Sequence, residues 1–171
     1  NQILMNNQIY SFQQTFPKES LSNLTESQID SLSGITSIKV MLDNSPVSLI
    51  HQYIKTSKGS RHFQKMISSS PPSQYETDML VNIICKTITD VMCDYYGNYF
   101  LQKFFPYCSL NHRLLFYTFI KPHFSQIANH ICGNHSLQCL IMLQNSKEEM
   151  TIIKECVEHN LHSLSFGPNS C

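Results

Sequence analysis

Gly97-Asn98-Tyr99-Phe100-Leu101-Gln102 carries a pattern that occurs three times in the chain and predicts a repeat fold. Gly59-Ser60-Arg61-His62-Phe63-Gln64 and Gly133-Asn134-His135-Ser136-Leu137-Gln138 repeat the glycine, the small polar residue, the ring or cation and the glutamine. The glycines lie 38 and then 36 residues apart, and Gly167 follows 34 residues later. A period of this length is typical of solenoids, in which each unit packs only on its neighbours.

The apolar residues around each repeat predict helices. From about Pro46 onward they follow three-and-four spacing, and the strict alternation typical of strands is not sustained. Each unit is predicted as a helix, a glycine-containing corner, a second helix, a loop and a third helix. The units cover about 46–82, 83–119 and 120–155, and a truncated fourth begins near Cys156. Residues 1–45, rich in Asn, Gln and Ser, form a partly irregular flank in which Leu21 to Leu32 could be a short helix starting near Ser20 or Ser22.

Charge and cysteine content limit the class of function. Twelve basic and twelve acidic residues cancel, but residues 51–121 hold eight basic and four acidic side chains, a local excess of +4. This band is compatible with a polyanion lying across the middle of the molecule, and also with an ordinary solvated surface. The seven cysteines are an odd number and fit reduced thiols in an intracellular protein better than a disulfide framework.

No motif in the sequence indicates catalysis or a membrane span. A nucleophile elbow, a phosphate-cradling loop and paired carboxylates are all missing, and no apolar run is long enough to cross a bilayer. We therefore expect a binding protein that is not an enzyme and uses no cofactor. Zinc binding by His130, Cys132, His135 and Cys139 is disfavoured, because their spacing matches no structural zinc pattern. The chain opens with Asn1 and shows no signal peptide, so we expect a part of a longer protein.

The three repeated positions offer complementary ways to hold a planar ligand. On a helix the polar residue and the glutamine, four positions apart, lie on one face. Side-chain amides both donate and accept hydrogen bonds, as the edge of a nucleobase requires, and a base can stack on the flat residue between them. We call these residues the recognition trio of each unit: Ser60, Arg61 and Gln64 in unit one; Asn98, Tyr99 and Gln102 in unit two; Asn134, His135 and Gln138 in unit three.

These segments resemble repeats of Pumilio-type (PUF) RNA-binding proteins. The stretch from Asp94 to Phe105 is similar to the second repeat of that family, and Gly59 to Gln64 is similar to the first. The resemblance covers roughly residues 46–171. It implies an all-α fold, a curved right-handed α-solenoid of three-helix PUF-like repeats. The inner face of such a solenoid binds single-stranded RNA that runs antiparallel to the protein, with one base per repeat.

The resemblance also implies a role for each residue of the trio. In the family the polar residue and the glutamine contact the base edge, and the residue between them stacks between adjacent bases. Asn98 with Gln102 and Asn134 with Gln138 therefore look like uracil-binding pairs, and Ser60 with Gln64 looks like an adenine-binding pair. Units three, two and one together would bind a core of 5′-U-U-A-3′, with phosphate contacts from Lys65 and Lys103.

Two departures from the family pattern affect the expected RNA target. Typical members carry a small residue where this chain has Asn134, which would place adenine at unit three, so uracil there departs from the usual target sequence of the family. In the fourth unit Pro168 has no side-chain group for a hydrogen bond, and that unit is left unassigned.

The expected function is a sequence-selective module of a cytoplasmic post-transcriptional regulator. It would bind 3′ untranslated regions of messenger RNA and recruit protein effectors of repression or decay. One alternative is a nucleolar PUF-like protein that binds structured RNA with little base selectivity during ribosome assembly. Another is an armadillo- or HEAT-type protein-binding scaffold without RNA. Individual residues also have simpler explanations: Tyr99 as a core aromatic, Arg61 as a surface cation and His135 as a packed imidazole.

Overall fold

The structure, a computed structural model, describes residues 24–165, with side chains through residue 160. Within this range the chain is helical and contains no strand. None of these helices combines the length and the apolar character needed to cross a lipid bilayer. The helices are α1 (Glu26–Ser33), α2 (Ile38–Asn44), α3 (Val47–Ile54), α4 (Ser57–Ser69), α5 (Gln74–Ile84), α6 (Ile88–Cys93), α7 (Gly97–Phe104), α8 (Leu110–Ile120), α9 (Phe124–Ala128), α10 (Gly133–Met142) and α11 (Lys147–Ser165).

The helices from α3 onward form three consecutive triplets, α3–α4–α5, α6–α7–α8 and α9–α10–α11. In each triplet the first helix packs on both of the others. Between triplets, second helices pack side by side, so that α4 contacts α7 and α7 contacts α10. Third helices do the same where α8 contacts α11. This nearest-neighbour arrangement confirms the predicted all-α solenoid of three-helix repeats.

Helices α1 and α2 lie in the segment that was predicted as partly irregular. The start of α1 at Glu26, later than the predicted Ser20 or Ser22, is set by a capping box. Thr25 Oγ1 accepts the Gln28 N–H (3.3 Å), and the Gln28 side chain accepts the Thr25 N–H (2.9 Å). Because α1 packs on α4 and α2 packs on α5, both helices extend the layers of the array.

The boundaries of the predicted units are less visible than their helices. Helix α11 continues without a break across Cys156, where the fourth unit was predicted to begin. Gly167 and Pro168 lie outside the described residues, as do residues 1–23 of the flank. The division into a flank of residues 1–45 and units at 46–82, 83–119 and 120–155 stays a prediction.

The repeat glycines lie where the first helix of a unit comes closest to the second. A methyl group added at Gly97 would lie 2.7 Å from the carbonyl oxygen of Val91, and one added at Gly133 would lie 2.8 Å from that of Ile127. At Gly59 it would overlap the carbonyl group of Tyr53. Favourable contacts between such atoms need about 3.5 Å. Any side chain at these positions would therefore push the two helices apart.

A capping residue three positions before each glycine fixes this corner. Its side chain accepts the N–H of the glycine, one of the donors that a helix start leaves unpaired. The bonds are Gly59 N–H to Thr56 Oγ1 (2.9 Å), Gly97 N–H to Asp94 Oδ1 (2.7 Å) and Gly133 N–H to His130 Nδ1 (3.2 Å). This shared role was not predicted from the sequence, although aligning the units on their glycines brings Thr56, Asp94 and His130 to one position.

A buried ion pair joins the second unit to the third. Arg113 on α8 donates from Nε to Glu149 Oε1 (2.6 Å) and from Nη2 to Glu149 Oε2 (3.1 Å). Glu149 on α11 is fully buried. Its burial raises the carboxyl pKa, but the Arg113 side chain and the Asn145 N–H lower it by more, so the pKa lies below the ordinary value of 4.5. The pair is therefore ionised at neutral pH and holds α8 against α11.

Candidate nucleic-acid interface

The three recognition trios lie on three neighbouring helices. They occupy α4, α7 and α10, the second helices of units one, two and three. Contacts between these helices fix their spacing. The rings of Phe63 and Phe100 meet edge to face with centroids 5.4 Å apart, and the Cys139 thiol donates to the Gln102 carbonyl (3.6 Å). Equivalent side chains of successive units are thus presented in one row along the solenoid.

In unit one the polar residue holds the glutamine. Ser60 is 2% exposed; its hydroxyl donates to the Tyr96 carbonyl of the next unit (2.7 Å) and accepts a bond from Gln64 Nε2 (3.0 Å). Gln64 itself is partly exposed. The bond to Ser60 directs one amide hydrogen inward, which leaves Oε1 and the second amide hydrogen for a ligand.

Unit two repeats this arrangement with an asparagine. Asn98 is also 2% exposed, and its Oδ1 accepts a bond from Gln102 Nε2 (2.9 Å). Both Asn98 amide hydrogens are used, by the carbonyl of Asp94 (2.9 Å) and that of Tyr95 (2.8 Å). In this conformation Gln102 keeps Oε1 and one amide hydrogen for a ligand, and Asn98 sets the orientation of the Gln102 amide.

Unit three is arranged differently. Asn134 is partly buried, and its Oδ1 is a buried acceptor without a hydrogen-bond partner among the described residues. Gln138 is exposed to solvent and does not supply the missing donor. An unpaired buried acceptor costs about 1–3 kcal/mol. The trio of unit three therefore has an unsatisfied acceptor that the other two units lack.

The residues predicted to stack on bases are all exposed. Tyr99 is 52% exposed, and Arg61 and His135 are also exposed to solvent. Exposure rules out Tyr99 as a core aromatic and His135 as a packed imidazole. Three flat or guanidinium surfaces thus face solvent on the second helices of consecutive units, each next to the glutamine of its own unit.

Positive charge lies beside the first two trios. Lys65 follows Arg61 by one helical turn on α4, and Lys103 follows Tyr99 by one turn on α7. Both lysines and Arg61 are exposed. Among the ion pairs of the described residues, none involves these three cations. Their charge is available to a polyanion.

His62, which follows Arg61, adds no charge to this face at neutral pH. Burial raises the pKa of the Tyr53 hydroxyl to about 12, so it stays protonated and can donate to His62 Nδ1 (3.0 Å). Burial also lowers the pKa of His62 below its ordinary 6.5, and Lys65 and Lys58 lower it further. His62 is therefore neutral and joins α4 to α3.

Two of the four residues considered for zinc, His130 and Cys139, have other side-chain contacts. His130 Nδ1 accepts the N–H groups of Cys132 (3.1 Å) and Gly133 (3.2 Å), and the Cys139 thiol faces the Gln102 carbonyl. Within the described part of the chain no three His, Cys, Asp or Glu side chains come together in a way that could hold a metal. His130 therefore has a structural role at this corner, where its ring caps the start of α10.

Comparison with known proteins identifies the repeats. By its geometry the protein is an α-solenoid of three-helix units that carries exposed amide and flat side chains in a row. A family model described as the Pumilio-family RNA binding repeat matches residues 88–117 and 123–155. These two segments are therefore identified as Pumilio-type repeats. The matched segments begin in α6 and near α9, at the first helices of units two and three.

Relatives support this assignment over most of the described residues. A Pumilio domain-containing protein of Schizosaccharomyces pombe is 25% identical over 115 residues, which are 67% of this chain and 14% of that protein. The solved Puf4 RNA binding domain bound to an HO endonuclease RNA 3′ UTR recognition sequence has a TM-score of 0.65 and 26% identity, and the match covers 71% of this chain and 37% of that domain. A solved Puf3 RNA binding domain has a TM-score of 0.68 and 18% identity, and the match covers 85% of this chain and 40% of that domain. At this identity the similarity supports only the fold. The chain thus spans well under half the length of these relatives.

Proposed function

We propose that this chain is a single-stranded RNA-binding module. The observation that carries the proposal is the row of exposed stacking groups, Arg61, Tyr99 and His135, on adjacent second helices. Each stands beside a glutamine, and in units one and two that glutamine is already oriented by a buried neighbour. Bound bases would stack on the flat groups while the glutamine amides contact their edges. Because the match is to an RNA-binding repeat, the proposal is binding, without catalysis.

The proposed core is 5′-U-U-A-3′, bound by units three, two and one. The assignment rests on the family correspondence of Asn134 with Gln138, Asn98 with Gln102 and Ser60 with Gln64. Its structural support is that Ser60 and Asn98 hold their glutamines by the same bond, although the two side chains differ in size. A smaller serine leaves more room beside the amide than an asparagine does, which is consistent with a purine in unit one and a pyrimidine in unit two.

The proposed biological role is post-transcriptional regulation in the cytoplasm through messenger RNA 3′ untranslated regions, with protein effectors of repression or decay. Its support is the solved Puf4 domain, which is described with a 3′ UTR recognition sequence. A second candidate, a nucleolar protein that binds structured RNA with little base selectivity, is favoured by the near-complete burial of Ser60 and Asn98. Buried polar residues leave fewer groups for discriminating between bases.

Short oligonucleotides separate these candidates. The affinity of the chain for a strand that contains U-U-A is compared with that for shuffled strands, at two salt concentrations. We expect preference for U-U-A at both, with weaker binding of all strands at the higher concentration because phosphate contacts are screened. Equal affinity for every sequence would favour the structured-RNA candidate, and no binding would favour a protein-binding scaffold.

Asn98→Ser tests the base contact of unit two. Serine would recreate the Ser60–Gln64 arrangement at Gln102, so we expect the preference at one position to move from uracil toward adenine. The matched control is Ser68→Ala, on the exposed C-terminal turn of α4, which should leave preference unchanged. If the folded Asn98→Ser variant binds every RNA equally less well, unit two does not select its base in this way.

A further inference from the structure

An exposed aromatic pair stands at the corner of unit two. The rings of Tyr95 and Tyr96 lie nearly perpendicular, 89° apart, with centroids separated by 5.0 Å. Tyr95 is 64% exposed and Tyr96 is 36% exposed. Tyrosine rings with this exposure have an unused stacking surface. Neither residue belongs to a recognition trio.

Hydrogen bonds hold the backbone of this pair in place. The Tyr95 carbonyl accepts from Asn98 Nδ2 (2.8 Å), and the Tyr96 N–H donates to Asp94 Oδ1 (2.9 Å). The Tyr96 carbonyl accepts from the Ser60 hydroxyl of unit one (2.7 Å). The pair is therefore tied to the polar residues of two recognition trios and has a fixed position relative to both glutamines.

The pair lies next to the trio of unit two. Tyr95 lies in the turn that leads into α7, and Tyr99 lies in the first turn of that helix; both side chains are exposed. The equivalent pairs in the other units, Ser57 with Lys58 and Ile131 with Cys132, contain no aromatic ring. Among the described units, only unit two has an aromatic pair directly before its repeat glycine.

We propose that Tyr95, supported edge-on by Tyr96, stacks on a nucleobase of the bound RNA that lies outside the one-base-per-unit register. The inference rests on the proposed function, and it adds a binding position that the repeat pattern does not contain. An unpaired base has an apolar face matching a tyrosine ring, whichever base it is. Hydrogen bonds from Asn98 and Ser60 place the pair beside two trios, which favours a nucleotide of the same strand as the occupant.

The test uses a strand that keeps U-U-A, carries abasic nucleotides elsewhere, and has one base restored at each flanking or inserted position in turn. We expect one restored base to strengthen binding by the wild-type chain by roughly fivefold to a hundredfold. Tyr95→Ala should lose that gain while binding the core-only strand as the wild type does, and Tyr95→Phe should keep it. Tyr107→Ala, which removes a tyrosine beyond the other end of α7 with 36% exposure, should behave as the wild type.

Photocrosslinking supplies an independent measurement. A 5-iodouracil at the strengthening position should crosslink to the peptide that contains Tyr95, and the crosslink should be lost in Tyr95→Ala. The inference is overturned if Tyr95→Ala binds every strand as the wild type does, which is also the result expected if the pair contacts a protein. Failure of the wild type to bind any U-U-A strand would instead refute the proposed function itself.

Discussion

The glycine corner of unit two makes a quantitative prediction for Gly97→Ala. The added methyl carbon would lie 2.7 Å from the Val91 carbonyl oxygen and 3.0 Å from Val91 Cγ1, where ordinary contacts begin near 3.4 Å. The first of these atoms is backbone, and the second belongs to a β-branched side chain with restricted rotation. Relief therefore requires α6 and α7 to separate by several tenths of an ångström. We expect a loss of about 1–3 kcal/mol in the free energy of unfolding, the usual cost of overfilling a packed site.

Urea denaturation followed by far-ultraviolet circular dichroism measures this loss. The matched control is Gly34→Ala, which makes the same chemical change after α1. Gly34 has an α-helical φ of −79°, and a methyl group there would lie 3.7 Å from its nearest neighbour, the Ser31 carbonyl oxygen. Alanine fits without strain, so stability should stay equal or rise by up to about 1 kcal/mol through the reduced freedom of the unfolded chain.

Comparing the two variants tests whether the close approach of α6 and α7 causes the loss of stability. If Gly97→Ala unfolds at the same urea concentration as the wild type, the helices of unit two do not approach each other as closely as the structure has them. If Gly34→Ala is destabilised as strongly as Gly97→Ala, the loss is a general effect of alanine and does not report the corner. Gly133→Ala, with a methyl position 2.8 Å from the Ile127 carbonyl oxygen, should follow Gly97→Ala.

Three further predictions concern the recognition face and the ion pair. Asn98→Ala should lower the unfolding free energy by about 1–3 kcal/mol, whereas Asn134→Ala, which removes an unpaired acceptor, should leave it unchanged or higher in the same urea titration. The folded-state pKa of Glu149 is below its ordinary 4.5. The contribution of this carboxylate to stability is therefore complete above pH 4.5 and is lost as pH falls through the folded-state pKa. Glu149→Gln should weaken this acid dependence of the melting temperature. Tyr99→Ala should reduce RNA affinity by about 1–3 kcal/mol without altering its salt dependence, whereas Lys103→Ala should reduce the salt slope by about one.

The sequence pattern was sufficient to predict the fold because the features on which the fold depends occur in every unit. Helical spacing, the glycine period and the apolar pairs around each glycine are local properties, and each is present three times. Tyr53, Val91 and Ile127, each six residues before a glycine, are all buried beneath the corner. Agreement among the units made these positions identifiable without coordinates.

The hydrogen bonding within the trios could not be obtained in the same way. Spacing placed Ser60 beside Gln64 and Asn98 beside Gln102, but it did not show that the polar members are buried. The burial of Ser60 depends on the carbonyl of Tyr96, which comes from the next unit, 36 residues later in sequence. Contacts between units set the exposure of such side chains, and a pattern within one unit does not contain them.

Unit three also shows that the pattern within one unit does not determine its hydrogen bonding. Its trio has the same polar residue and glutamine as unit two, yet Asn134 Oδ1 has no partner in the described structure. The glycine corner differs too, since His130 stands where unit two has Asp94. Equal residues at the trio therefore do not ensure equal geometry, and the assignment of uracil to unit three has less structural support than the assignment to unit two.

Asn98 has structural hydrogen bonds in addition to its proposed role in base recognition, and this determines how its variants must be interpreted. Its amide hydrogens bind the carbonyls of Asp94 and Tyr95, and its oxygen orients Gln102. Serine can replace the acceptor for Gln102 but supplies at most one of the two donors. Asn98→Ser should therefore loosen the corner while it alters the base site, and a loss of affinity shared by all RNAs would follow from partial unfolding alone. Only the ratio of affinities for uracil and adenine, measured where the variant is fully folded, reports base selection by unit two.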